Sequence, residues 1–183
     1  MDAEGGKPRR LTDETSEDFT PTWSRDGRWI YFSSKRSGSL QLWKMRSEGG
    51  EPVQLTRHGG FRGVESLDGK VVYYVQDKPG IYQVPVEGGD ETVIIAGYNA
   101  GWPWWQNWAV ADDGIYFIKQ DSNGVAAIEF FNFATRQVRN VAPIGKINLH
   151  PLALAFSPDR RWFLYTQVDP GNTGNITMVE NFR

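Results

Sequence analysis

The sequence predicts an all-β fold, a β-propeller of four four-stranded blades. Three observations predict it: two phrases that recur in one rhythm, and strand-like runs between them. The first phrase is a turn: Asp26-Gly27 in SRDGR, Asp68-Gly69 in SLDGK, Asp113-Gly114 in ADDGI and Asp159-Arg160 in SPDRR, separated by 42, 45 and 46 residues. The second is EGGKPRRLT from Glu4, EGGEPVQLT from Glu48 and EGGDETVII from Glu87, spaced by 44 and 39 residues. Self-similarity at about 40–45 residues marks a propeller array, with one blade per repeat.

Each repeat resolves into strands a to d. Strand a is short and apolar, at 19–23, 63–67, 108–111 and 152–156. Strand b follows the turn, at 29–34, 71–76, 115–120 and 162–168. Strand c is expected at 40–45, 81–86, 127–133 and 176–179, and strand d at 53–56, 92–96 and 137–141. All are rich in β-branched and aromatic residues and bounded by Gly, Asp, Asn and Pro. No stretch carries the i, i+3, i+4, i+7 stripe of an amphipathic helix.

The Asp-Gly pair reverses the chain between strands a and b, with a left-handed backbone at the glycine. A Ca²⁺ loop would need alternating acidic residues and a closing Glu, and SRDGRWIY offers neither. Arg160 stands where Gly27, Gly69 and Gly114 stand, so glycine at 160 is expected to raise stability modestly.

The chain reads as a single domain, 1–183, with blades at about 19–56, 63–96, 108–141 and 152–179. The last repeat supplies only strands a, b and c. Residues 7–12, KPRRLT, match EPVQLT of the first blade and are expected to complete the last one. Closure within the chain leaves only short, protected edges. Its rivals are an open arc and part of a six- to eight-bladed ring, including two chains that share one ring.

Composition narrows function. Twenty Lys and Arg oppose 22 Asp and Glu, a net charge of −2, so nothing steers the surface toward nucleic acid or anionic lipid. The basic cluster Lys7, Arg9, Arg10 reads as edge-strand protection. There is no cysteine, which excludes a disulfide framework and thiolate metal or redox chemistry. The first ten residues contain no apolar run, so no secretory signal is expected there, and no window is long and apolar enough for a membrane helix.

These residues resemble a known family. PTWSRDGRWIYFSSKRSGSLQLWKMRSEGGEPVQLT resembles one blade of the TolB-type, WD-repeat-like propellers, whose repeat runs strand, Ser-Pro-Asp-Gly-Lys, strand, loop, strand, Gly-Gly, Leu-Thr. The ending GNITMVENFR is similar to the end of propeller modules fused to bacterial winged-helix regulators and serine/threonine kinases. The resemblance implies a bacterial binding or sensing scaffold, often extracytoplasmic, which favours the periplasm. It transfers no catalytic residue.

In a propeller the d–a and b–c loops share one face, and here they are long and irregular, which makes them the place for function. The d–a loops are DETSED, RHGGFR, YNAGWPWWQN and PIGKINLH. The expected ligand- or partner-binding residues are Arg57, His58, Arg62, Trp102, Trp104, Trp105, Lys146 and His150. The tryptophans either form a recognition surface or cover blade interfaces. Two histidines without a third ligand, and no HExxH, give no metal site, and no GxSxG elbow supports a triad. No cofactor is expected.

The expected function is therefore a non-enzymatic protein- or peptide-binding scaffold with no nucleic-acid or membrane partner. Self-association follows if the ring is incomplete. The alternatives are a carbohydrate-binding or glycan-processing propeller that uses the Trp-rich loop, and a propeller gating a hydrolase in a longer chain. Hydrolysis would need paired carboxylates, and Glu17 and Asp18 are an acidic pair in those loops.

Overall fold

The computed structural model describes residues 5–13, 15–98, 106–146, 153–168 and 174–180. It is all-β. The strands are β1 (Asp18–Trp23), β2 (Trp29–Ser34), β3 (Gln41–Arg46), β4 (Val53–Gln54), β5 (Phe61–Glu65), β6 (Val71–Val75), β7 (Gly80–Pro85) and β8 (Thr92–Ala96). They continue as β9 (Trp108–Val110), β10 (Gly114–Gln120), β11 (Val125–Asn132), β12 (Val138–Lys146), β13 (Leu154–Phe156), β14 (Trp162–Val168) and β15 (Gly174–Glu180).

Each repeat makes one meandering antiparallel sheet, a propeller blade: β1-β2-β3-β4, β5-β6-β7-β8, β9-β10-β11-β12 and β13-β14-β15. The last sheet has three strands among the described residues. By packing the chain forms two units, Met1–Tyr74 with Val84–Glu91, and Val75–Gln83 with Thr92–Arg183.

Alternation along the strands sets each core. In the first unit Ile30, Phe32 and Met45 are buried together, with Leu11 and Trp43 packed against them. In the second, Tyr116, Ile118, Ile128, Phe130, Phe163 and Tyr165 form the centre of a larger cluster. There the Tyr116 ring meets Phe130 at 4.5 Å and Phe163 edge-on at 4.9 Å between centroids, aromatic pairings that add to plain area burial.

The recurring turn is built from local hydrogen bonds. Ser24 Oγ donates to Asp26 Oδ1, which also accepts from Arg28 N, while Ser24 Oγ accepts from Trp29 N. Ser66 with Asp68 and Ser157 with Asp159 repeat the pattern. Gly27, Gly69 and Arg160 all occupy the left-handed region there, at φ 70°, 68° and 55°.

The third turn departs from the expectation. Ala111 has no hydroxyl to cap the turn, Ala111 N bonds Gly114 O directly, and Gly114 begins β10 without a left-handed backbone. Its glycine answers a different demand: a Cβ there would lie 2.0 Å from the Phe131 carbonyl oxygen. The blade is closed up around the missing side chain.

Two further differences concern strand limits. β12 was expected to end at 141 but runs to Lys146, because β11 starts early at Val125 and pairs with it throughout. Two register shifts leave Val141 and Ile144 unmatched, the latter between Pro143 and Gly145, as an outer strand permits. Residues 7–12, expected as the fourth strand of the last blade, carry no strand structure. They engage the first blade instead: Leu11 packs on its core, and Arg9 donates to the Ser47 and Glu48 carbonyls. Pro8 lacks the N–H that a ladder would use.

Candidate functional site

Residues 57–62 join the first blade to the second, and the first unit holds this loop by a network with three anchors. Thr56 is buried and donates from Oγ1 to Gln41 Oε1, which also accepts from Gly59 N. Leu42 N donates to Thr56 Oγ1 at 2.8 Å. Gly60 lies so close to Leu42 that a Cβ would fall 2.7 Å from Leu42 N and from Thr56 Oγ1. Only glycine fits.

The third anchor is Glu91, whose side chain is 8% exposed. Its Oε1 accepts from Arg57 N at 2.7 Å and sits 3.1 Å from His58 Nδ1, while Oε2 accepts from Tyr74 OH at 2.7 Å. A carboxylate desolvated in this way needs its lone pairs satisfied, and these donors satisfy them. The result is a fixed loop backbone that presents Arg57 and His58 to solvent, the imidazole 73% exposed.

Arg62 closes the loop in a strained backbone, φ 54°, with its N–H donating to Ser33 Oγ at 3.2 Å. Thr20, one repeat earlier, is left-handed too, at φ 46°, and its Oγ1 lies 3.2 Å from the same Ser33 Oγ. Both residues lie early in strand a of their blades, six residues before the turn aspartate, so the strain recurs in the first two repeats. Left-handed backbone at a non-glycine residue costs about 1–2 kcal/mol, and the shared serine holds it in place.

Below this loop a second buried carboxylate ties the blades. Glu65 Oε1 accepts from Tyr31 OH at 3.0 Å, and its other oxygen accepts from Arg25 N. Burial and then the Glu65 charge push the Tyr31 phenol well above its ordinary pKa. Tyr31 therefore stays a donor at all physiological pH.

Of the residues expected from sequence, Arg57 and His58 come together on one loop, and Arg62 follows it as the second residue of β5. Lys146 does not lie in a loop: it ends β12, exposed, opposite Val125. Trp102, Trp104, Trp105 and His150 lie outside the described residues. Among the described residues no cluster of His, Cys, Asp or Glu side chains could hold a metal ion. Sequence reasoning missed Glu91 and Tyr74. The signal for Glu91 was present: EGGDET places it where EGGEPV has Pro52.

Residues 1–84 match the PD40 family, described as the TolB beta propeller domain. An uncharacterized protein of Agrobacterium fabrum is 33% identical over 87 residues, covering 46% of this chain and 30% of that one. The Tol-Pal system protein TolB of an Anaeromyxobacter strain is 33% identical over 91 residues, covering 49% and 21%. The chain thus spans less than a third of the length of these relatives. Among solved structures, TolB from Acinetobacter baumannii superposes with a TM-score of 0.70 at 19% identity, over 88% of this chain and 40% of that one. Oligogalacturonate lyase from Vibrio parahaemolyticus gives 0.69 at 16% identity, over 95% and 55%. At such identities the likeness is one of fold.

Proposed function

Because this chain is a TolB-type propeller, whose likeness to TolB supports a binding scaffold, we propose that it binds a carboxylate-bearing protein or peptide segment without catalysing a reaction. The observation that carries the proposal is the loop at 57–62. Its backbone is fixed by Glu91 and Gln41, while the Arg57 and His58 side chains remain exposed. A rigid backbone removes part of the ordering cost of binding. A guanidinium beside an imidazole favours Asp, Glu or a chain-terminal carboxylate.

Trp102, Trp104 and Trp105 on a separate d–a loop are proposed aromatic contacts, as are Lys146 and His150 at their own positions. A periplasmic location belongs to the same proposal, supported by the TolB relatives and tested by cell fractionation.

The experiment is selection from a library of extended peptides, followed by titration of retained sequences against variants. Arg57→Ala and His58→Ala should each weaken binding about tenfold or more, the worth of a charge-assisted hydrogen bond, with unchanged melting. Trp104→Ala or Trp105→Ala should cost about 2 kcal/mol or more in binding if the indoles are contact hot spots. Retention that is indifferent to Arg57 and His58 refutes the site. A large loss of stability in both Trp variants assigns those rings to packing.

A further inference from the structure

The outer strands of the blades are not alike. β4 has two residues and follows Pro52, and β12 carries Arg139, Pro143 and Lys146 with two register shifts. Short length, cations, proline and bulges are the features that keep sheet edges from pairing with other chains. β15 has none of them. It is seven residues long, GNITMVE, regularly paired with β14 along its whole length, and the outer strand of its sheet among the described residues.

The sheet face at this edge is also apolar. Ile176 is 77% exposed, Met178 58% and Leu164 44%. Leu164 stands opposite Met178 in the β14–β15 register, so the three form one stripe that reaches the edge. The opposite face of β14, with Phe163 and Tyr165, is already buried in the core of the unit.

We infer that β15 pairs antiparallel with β15 of a second copy of this chain, centred on Thr177. That register is self-complementary. Ile176 stands opposite the partner's Met178 and Met178 opposite the partner's Ile176, on the same face, so two apolar cross-strand pairs form at once. Glu180, the one ionisable residue of the strand, stands opposite the partner's Gly174, and no like charges meet. Centring the pair on Met178 would instead set Ile176 against the partner's Glu180. A two-fold contact of this kind closes on itself and does not propagate. It joins two three-stranded sheets into one of six strands with the stripe continuous across it.

The chain has no cysteine, so Thr177→Cys gives a single thiol that this register brings against its own copy. Directly opposite residues in an antiparallel pair have Cα atoms about 4.5–5.5 Å apart, within disulfide reach. Mild oxidation should link Thr177→Cys into a dimer and leave Val138→Cys, exposed on β12, largely monomeric. By sedimentation the parent chain should be a dimer at tens of micromolar, and Ile176→Lys with Met178→Lys should return it to monomer with its melting retained. If the lysine variant fails to fold, the thiol pair decides alone. A parent chain still monomeric at about 100 µM, or a dimer that survives both lysines, overturns the inference. So does a dimer that is lost when residues 1–12 are deleted with β15 intact, because the N-terminal segment would then be the occupant.

Discussion

Replacing Arg160 by glycine sets two local effects against each other. Arg160 holds φ 55° where two equivalent turns use glycine, and relief of that strain is worth about 1 kcal/mol. Glycine also loosens the unfolded chain, which takes back about 0.4–1 kcal/mol. The structure adds what the turn alignment lacks. Arg160 Nη1 donates to Asp113 Oδ1 at 2.8 Å, and Nη2 lies 3.0 Å from Asp112 Oδ2, across one repeat. Partial burial alone would lower the pKa of this guanidinium; Asp113 and Asp112 outweigh it and raise it.

The two carboxylates are more than half exposed and the guanidinium 30% exposed, so solvent screening limits the pairs to about 0.5–1 kcal/mol together. The terms sum to a net loss of about 0–1 kcal/mol for Arg160→Gly, where strain alone predicts a gain. Urea unfolding of four proteins measures it: the parent, Arg160→Gly, Asp112→Asn with Asp113→Asn, and the combination. Glycine should be neutral or stabilising in the Asn background. The coupling between the sites should be about 0.5–1 kcal/mol and shrink in 1 M salt. A clear gain of stability that is equal in both backgrounds would falsify the interaction and leave strain as the whole effect.

Other outcomes follow from the same contacts. Asp26 is held down to about 2, first by the Arg28 backbone N–H and then by the Ser24 hydroxyl and the Arg28 guanidinium. A depressed carboxylate stabilises the fold above its unfolded pKa near 4, and that contribution is lost as pH falls toward 2. Carboxylate titration followed by NMR should therefore show the Asp26 midpoint move up in Ser24→Ala. Glu91→Gln keeps the size but loses the charge, and should cost about 1–3 kcal/mol. Hydrogen exchange should rise first at Arg57 N. Leu11→Ala should cost about 1–2 kcal/mol, less than a fully buried leucine; an unchanged urea midpoint would mean that the N-terminal segment is not docked on Ile30, Phe32 and Met45.

The blades were legible in the sequence because what defines them is local. The Ser-x-Asp turns close through bonds between residues two to five apart, so the chemistry of the turn is written beside the turn. Strand alternation is equally local, and β2, β6 and β14 fall within a residue of their expected limits. Reading the third turn as another copy failed, because the need for Gly114 is set by Phe131 on the adjacent strand, not by its neighbours in the chain.

The loop at 57–62 was also visible as a cluster of Arg, His and Gly, but what holds it was not. Glu91 meets Arg57 and His58 across 34 and 33 residues, and Arg160 meets Asp113 across 47. The Arg160–Asp113 separation is close to one repeat, because stacked repeats touch their neighbours at matching positions, and Glu91 reaches the preceding loop a few residues out of that phase. A phrase that recurs along a chain determines that these positions can meet. Which side chains there satisfy one another is decided only when packing removes water from them, and a carboxylate such as Glu91 would be costly if left unpaired.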